Sequence, residues 1–99
     1  QDRALCMQKQ YSAKIVMGPN GTELPLDGNR TLSENIADAG GMSLAHRAFR
    51  SRYASIADSP SPVNGLTNAQ LMLLGAGQLW CSLTSQQALE ISVQTGKHA

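Results

Sequence analysis

The chain has 99 residues, enough for at most one small domain, and this length excludes a multi-domain enzyme. Eight Lys and Arg residues against seven Asp and Glu residues give a net charge of +1, so no general field attracts nucleic acid or an anionic membrane. Because 41% of the residues are hydrophobic but only 4% are aromatic, any core must be built mainly from Leu, Ile, Met and Ala.

The first third of the chain predicts a short helix followed by an irregular segment. Polar and apolar residues recur at helical spacing over residues 4–11. Turn-forming residues are then frequent up to position 30, including Asn20-Gly21 and Asp27-Gly28. We therefore expect an irregular loop or a short hairpin over residues 12–30, with any hairpin turn at Asn20-Gly21.

A long helix is predicted next, over about residues 31–57. Thr31 and Glu34 have the spacing of a capping box, in which each side chain satisfies a backbone donor at the start of a helix. Gly40-Gly41 interrupts this helix, where each glycine costs about 1 kcal/mol relative to alanine. We expect a neighbouring backbone to approach this pair closely. Apolar residues then form one stripe at helical spacing, comprising Met42, Ala45, Phe49, Tyr53 and Ile56.

The last third of the chain predicts a second long helix after a linker. Prolines and serines dominate the linker, residues 58–66, and a second capping box is predicted at Thr67 and Gln70. The helix at about residues 67–84 is apolar on nearly every face, so it requires more partners than this chain supplies. A further short helix is expected within residues 85–94. The fold class is thus mainly α, a small helical assembly around two longer helices, and residues 1–99 form a single partial domain.

The two cysteines, Cys6 and Cys81, are far apart in the sequence and belong to no C-x-x-C pair, which excludes a zinc finger. They are either free thiols or bridged to each other. Asn20 and Asn29 begin N-glycosylation sequons, which are typical of secreted proteins but frequent by chance. No apolar run is long enough to span a membrane, and the first residues show no signal-peptide pattern and no initiator Met, so we expect a processed or excised chain.

Two carboxylates, Glu34 and Asp38, are four residues apart and so project from one face of the predicted helix. Like charges at this spacing are mildly destabilising unless a cation or an imidazole lies between them. One interpretation is a metal ligand next to a carboxylate that supports a second ligand. The other is a capping residue followed by a solvated acid. The spacing alone favours the second interpretation.

The residues around this pair add a specific motif. The segment from Glu34 to Gly41 reads E-N-I-A-D-A-G-G and closely resembles the E-N-I-A-D-x-G-G segment of the neprilysin and endothelin-converting-enzyme family of zinc metallopeptidases. The resemblance covers essentially the whole chain. Its other matching positions are Cys6, Gln10-Tyr11, Asp27-Gly28, Thr31-Leu32, Arg47-Ala48-Phe49, Gly65-Leu66-Thr67, Gln70-Leu71 and the run Gln78-Leu79-Trp80-Cys81.

The resemblance implies a late, C-terminal portion of a catalytic domain, with Glu34 as the third protein ligand of zinc and Asp38 as the carboxylate that orients a zinc-binding histidine. His98 falls where the family's D-x-H-S-P segment places the histidine that stabilises the oxyanion, although here the segment is Gly96-Lys97-His98-Ala99. A plain terminal histidine is an equal reading of His98. The other histidine, His46, is expected on the surface, more than three helical turns beyond Glu34.

The chain lacks the H-E-x-x-H segment that carries the other two zinc ligands and the general base in this family. The resemblance therefore implies a fragment of a zinc metalloendopeptidase that acts on peptides together with the remainder of its catalytic domain. We expect no tight zinc binding and no activity by this chain alone. In relatives with disulfides, the cysteines that match Cys6 and Cys81 pair outside this stretch, which implies a secreted protein or the ectodomain of a single-pass membrane protein.

Two other hypotheses stay open at this point. In the first, the chain is a non-catalytic helical interaction or antigenic module, which acts only through its surface. Alternatively, two copies bind a metal ion by self-association through Glu34 and His98.

Overall fold

The computed structural model of the chain describes residues 2–99, and it is mainly helical, as predicted. Helix α1 spans Asp2–Ser12, α2 spans Leu32–Arg52, α3 spans Asn68–Gln78 and α4 spans Gln86–Thr95. Strands β1, Ile15–Met17, and β2, Glu23–Pro25, form a small antiparallel sheet between α1 and α2. The chain divides into two compact units. Unit 1 contains the chain through Asp38 together with Leu83–Ala99, and unit 2 is Ala39–Ser82.

The hairpin predicted in residues 12–30 is present in unit 1. Val16 pairs with Leu24, and Leu24 is the buried residue of β2. Gly21 has a φ of +81°, a conformation that costs glycine little because it has no Cβ atom. Helix α4 packs against β2, so the sheet joins the end of the chain to its first third.

Both long helices end earlier than the sequence predicts. Helix α2 ends at Arg52 rather than near residue 57, because the following residues form turns whose carbonyls bind the start of α3. The Asn68 side-chain amide donates to the Ile56 carbonyl at 2.9 Å, and the Ala69 N–H donates to the Ala57 carbonyl at 2.9 Å. Helix α3 ends at Gln78 rather than near residue 84, and the backbone continues there with tighter turn-type hydrogen bonds.

The capping box predicted at the start of α3 is confirmed. The Gln70 N–H donates to the Thr67 hydroxyl at 3.2 Å, and the Thr67 N–H donates to the Gln70 side-chain oxygen at 2.8 Å. Two backbone donors that lack a partner within the helix are thereby satisfied. The sequence alone therefore placed the beginning of α3 correctly.

The close backbone approach predicted at Gly40-Gly41 is wrong. Apart from adjacent residues and the backbone of α2 itself, no atom of the described chain lies within 4 Å of a Cβ atom built at either glycine, so both positions are open. Replacing Gly40 or Gly41 with alanine is therefore expected to raise the free energy of unfolding by about 1 kcal/mol each, since alanine favours the helix interior. Urea unfolding followed by circular dichroism measures this change. A lower stability of either variant would contradict the open geometry.

An ion pair joins the end of α2 to the turn that follows it in unit 2. The Arg50 guanidinium donates to both oxygens of Asp58, at 2.8 and 2.7 Å. These hydrogen bonds lower the pKa of Asp58 below its ordinary value. Desolvation opposes this effect in part, and the charges of Arg50 and His46 add to it. The same hydrogen bonds raise the pKa of Arg50.

This ion pair predicts a pH dependence of unit 2. Because the pKa of Asp58 is lower in the folded chain, its stabilisation is complete above the unfolded value of about 3.9 and is lost as the pH falls through the folded value. Urea midpoints measured between pH 7 and pH 2 should fall less steeply for Asp58→Asn than for the unaltered chain. Arg50→Gln should reproduce the shallower fall. An unchanged acid limb in both variants would contradict the prediction.

Candidate functional site

The three residues assigned to a site from the sequence lie together in unit 1, and we call them the candidate site: Glu34, Asp38 and His98. The His98 Nδ1 atom lies 3.0 Å from Asp38 Oδ2, at hydrogen-bond distance. The His98 Nε2 atom lies 3.6 Å from Glu34 Oε2. Each side chain is between one third and one half exposed. The two carboxylates of one α2 face thus contact the same imidazole from the other end of the chain.

Asparagine and threonine side chains, rather than a capping box, fix the start of α2. Thr31 and Asn35 are both 2% exposed. The Asn35 amide donates to the Thr31 hydroxyl at 2.9 Å, and that hydroxyl donates to the Asp27 carbonyl at 3.0 Å. The capping box predicted between Thr31 and Glu34 is therefore wrong. The Thr31 hydroxyl binds Asn35 and Asp27 instead, and the Glu34 carboxylate faces His98. The i,i+4 spacing of Thr31 and Asn35 was the signal for this buried bond.

Arg30 contacts the segment that carries His98, and the sequence analysis did not single it out. Its Nε atom donates to the Gly96 carbonyl at 3.2 Å, and its terminal nitrogen donates to the Val93 carbonyl. Its other terminal nitrogen lies 3.5 Å from Asp27 Oδ2. No local pattern reveals these contacts, because Arg30 and Gly96 are far apart in the sequence.

Asp27 is held in its ionised form by its own turn. The Arg30 N–H and the Asn29 N–H each donate to Asp27 Oδ1 at 3.0 Å. The hydrogen bond from Arg30 is the main cause that lowers the pKa of Asp27, opposed in part by desolvation and supported by the Asn29 N–H and the Arg30 charge. Asp27 therefore remains a carboxylate partner for Arg30 at neutral pH.

The donor chemistry of the candidate site fits part of a zinc site. A carboxylate oxygen and an imidazole nitrogen are ordinary zinc ligands, and a carboxylate on the second ring nitrogen is a common support for a zinc-bound histidine. A catalytic zinc takes three protein ligands. Within residues 2–99, however, no three His, Cys, Asp or Glu side chains are arranged to hold a metal ion. The Glu34 carboxylate has the chemistry of one zinc ligand.

His46 and the cysteines lie outside the candidate site. His46 is half-buried in unit 2, so the predicted surface position is only partly met, and its charge acts on Asp58. Cys6 and Cys81 are exposed free thiols, so a bridge between them is absent from the described structure. The Cys81 thiol donates weakly to the Gly77 carbonyl at 3.9 Å.

Comparison with known proteins identifies the family. The sequence profile described as Peptidase family M13 matches residues 1–99, the entire chain. The chain belongs to peptidase family M13. Its M13 relatives include endothelin-converting enzyme 1 of Cavia porcellus and of Homo sapiens, each 39% identical over 95 residues, and neprilysin-2 of Caenorhabditis elegans, 32% identical over 100 residues. The resemblance to the neprilysin and endothelin-converting-enzyme family is confirmed.

The chain spans a small part of the length of its M13 relatives. It is matched over 95% of its own length by both endothelin-converting enzymes but spans only 12% of theirs, and it spans 13% of neprilysin-2. No solved structure was found to match it at a significant level. Among the described helices, none is both long enough and apolar enough to cross a bilayer.

Proposed function

We propose that this chain supplies part of the catalytic centre of a neprilysin-like zinc metalloendopeptidase. Glu34 is the third protein ligand of zinc, and Asp38 orients a zinc-binding histidine. The observation that carries the proposal is that both carboxylates lie beside one imidazole, that of His98, so Asp38 can accept a hydrogen bond from a ring nitrogen close to the Glu34 oxygen. Membership of the M13 family supports the same assignment.

Each residue of the candidate site has a distinct task in peptide-bond hydrolysis. Zinc, when bound, polarises the peptide carbonyl and lowers the pKa of its water. The Glu34 carboxylate offers an oxygen ligand on the first turns of α2. Asp38, which lies beside the His98 ring in this chain, would accept a hydrogen bond from a zinc-binding histidine of the remaining catalytic domain and so fix the orientation of that ring. The His98 imidazole donates a hydrogen bond to the oxyanion that develops on the substrate carbonyl.

The activity depends on residues beyond this chain. One assigned ligand cannot hold zinc tightly, and H-E-x-x-H is absent from the sequence. We propose that the remainder of a catalytic domain completes the centre, that the substrates are peptides, and that the enzyme acts outside the cell. Disulfide partners for Cys6 and Cys81 would then also lie outside this stretch.

Exposed apolar side chains support a larger body around unit 2. In and just after α3, Leu74 is 50% exposed, Leu79 is 82% exposed and Trp80 is 61% exposed. An apolar helix of this kind is typical of a protein interior rather than of a free surface. The same exposure favours the second candidate, an interaction module, which predicts that Glu34→Ala leaves both folding and partner binding unchanged.

The test of the zinc role is the metal content of a longer polypeptide that joins this chain to an H-E-x-x-H segment. Glu34→Gln should lose most of its zinc on dialysis against a weak chelator, whereas the exposed Glu23→Gln should keep it. Equal zinc contents would contradict the proposal. For this chain alone, calorimetric titration should give no tight zinc site, and hydrolysis above background would contradict the proposed dependence on further residues.

A further inference from the structure

Arg30 connects the start of α2 to the end of α4 within unit 1. We infer that Arg30 is a positioning residue, which holds the segment bearing His98 so that its imidazole contacts Asp38 and Glu34. This inference rests on the role proposed above for His98. The Arg30 side chain contacts none of the reacting groups and acts only through the backbone carbonyls of Val93 and Gly96.

The end of α4 supplies acceptors that need a donor. The last carbonyls of a helix have no partner within the helix, and cationic side chains satisfy them well. Arg30 donates to two carbonyls in this region, those of Val93 and Gly96. Because the guanidinium is planar and presents its donors in a rigid fork, two such contacts fix direction as well as distance. Gly96 is only two residues before His98.

Arg30 is itself fixed from the other side. Asp27 Oδ2 lies 3.5 Å from its guanidinium, and Asp27 Oδ1 accepts from the Arg30 N–H. The Asp27 carbonyl in turn accepts from the Thr31 N–H at 3.1 Å and from the Thr31 hydroxyl. One turn, residues 27–31, thus holds the end of α4 and begins the helix that carries Glu34 and Asp38. The carboxylates of α2 and the segment that carries His98 are therefore held by the same turn.

The sequence gives this contact additional weight. The family's D-x-H segment places an acidic residue two positions before the histidine, and this chain has Gly96 there. A glycine side chain cannot anchor the segment. The Gly96 backbone carbonyl, bound to Arg30, provides the anchor instead. A Cβ atom at Gly96 would also collide with the Ser92 carbonyl, so the close return of this backbone requires glycine.

The experiment uses nuclear Overhauser effects in this 99-residue chain, without zinc or substrate. The unaltered chain should show contacts between the His98 ring protons and the Asp38 β protons, with His98→Gln identifying the ring signals. Arg30→Gln should lose these contacts while the cross-strand contacts between Val16 and Leu24 persist. Arg30→Lys keeps the positive charge but loses the planar guanidinium with its several donors, so it too should lose the contacts between His98 and Asp38. Arg50→Gln, which removes an arginine paired with a carboxylate in unit 2, should leave the His98 contacts unchanged.

Three results would overturn the inference. The first is retention of the His98 contacts in either Arg30 variant, and the second is their absence from the unaltered chain. The third is loss of the Val16–Leu24 contacts together with those of His98 in both Arg30 variants, because Arg30 would then support unit 1 as a whole. Because no zinc or peptide cleavage is measured, failure of this inference is distinguishable from failure of the proposed function.

Discussion

Replacing Glu34 with glutamine is expected to lower peptide-bond hydrolysis by more than about 100-fold in a longer polypeptide that joins this chain to an H-E-x-x-H segment. Residues that only orient a zinc ligand typically cost 10–100-fold when replaced, so loss of a ligand itself should cost more. Glutamine preserves the size of the side chain but removes its negative charge, which weakens its oxygen as a zinc ligand. The ratio kcat/KM for a short peptide measures the change.

Two further variants separate the roles within the candidate site. Asp38→Asn should lower kcat/KM by about 10–100-fold, since the orienting carboxylate is lost while the ligand remains. Glu23→Gln, at an exposed position of β2, should leave hydrolysis unchanged. The assignment would be wrong if Glu34→Gln kept the activity of the Glu23 control. A larger loss for Asp38→Asn than for Glu34→Gln would reverse the two roles.

Replacing Gly28 with alanine is expected to lower the free energy of unfolding of unit 1 by about 1–3 kcal/mol, the usual cost of overpacking. Gly28 is buried against the end of α1. A Cβ atom there would lie 2.7 Å from the Ser12 N atom and 2.6 Å from the Ser12 hydroxyl, and closer still to the Gln8 carbonyl. The loss of unfolded-chain entropy that alanine brings, about 0.4–1 kcal/mol, offsets only part of this cost.

Alanine substitutions at two glycine positions are expected to change the free energy of unfolding in opposite directions. Gly41→Ala, at an open position within α2, should stabilise the chain, whereas Gly28→Ala should destabilise it. Urea unfolding of Gly28→Ala, followed through the Val16–Leu24 contacts of the hairpin, measures the change in unit 1, and urea unfolding of Gly41→Ala, followed by circular dichroism, measures the change in helix stability. Equal stability of Gly28→Ala and the unaltered chain would show that the end of α1 moves away at little cost.

Several features of this chain follow from local sequence, because the interactions that create them span a few residues. The capping box at Thr67 and the turn at Asn20-Gly21 are of this kind, and both are present as predicted. The common face of Glu34 and Asp38 follows equally from helical geometry. The E-N-I-A-D-A-G-G motif then identified the family, which the match over residues 1–99 confirms.

Other features depend on residues that are distant in the sequence, and local patterns did not reveal them. The end of α2 at Arg52 depends on hydrogen bonds that Asn68 and Ala69 make to the preceding turn. The openness around Gly40-Gly41 depends on which parts of the chain are near it, and the sequence led to the opposite expectation. The Thr31 hydroxyl likewise binds Asn35 and the Asp27 carbonyl instead of forming the predicted capping box.

The sequence by itself determined the helical class, the position of the turn at Asn20-Gly21, the family and the pair of carboxylates on α2, since each rests on local geometry or on a contiguous motif. Only the tertiary structure decided that His98 lies against Asp38 and Glu34, and that Arg30 binds the backbone just before it. These contacts join residues 60 or more positions apart. They depend on the packing of α4 against β2, so no short-range sequence pattern predicts them.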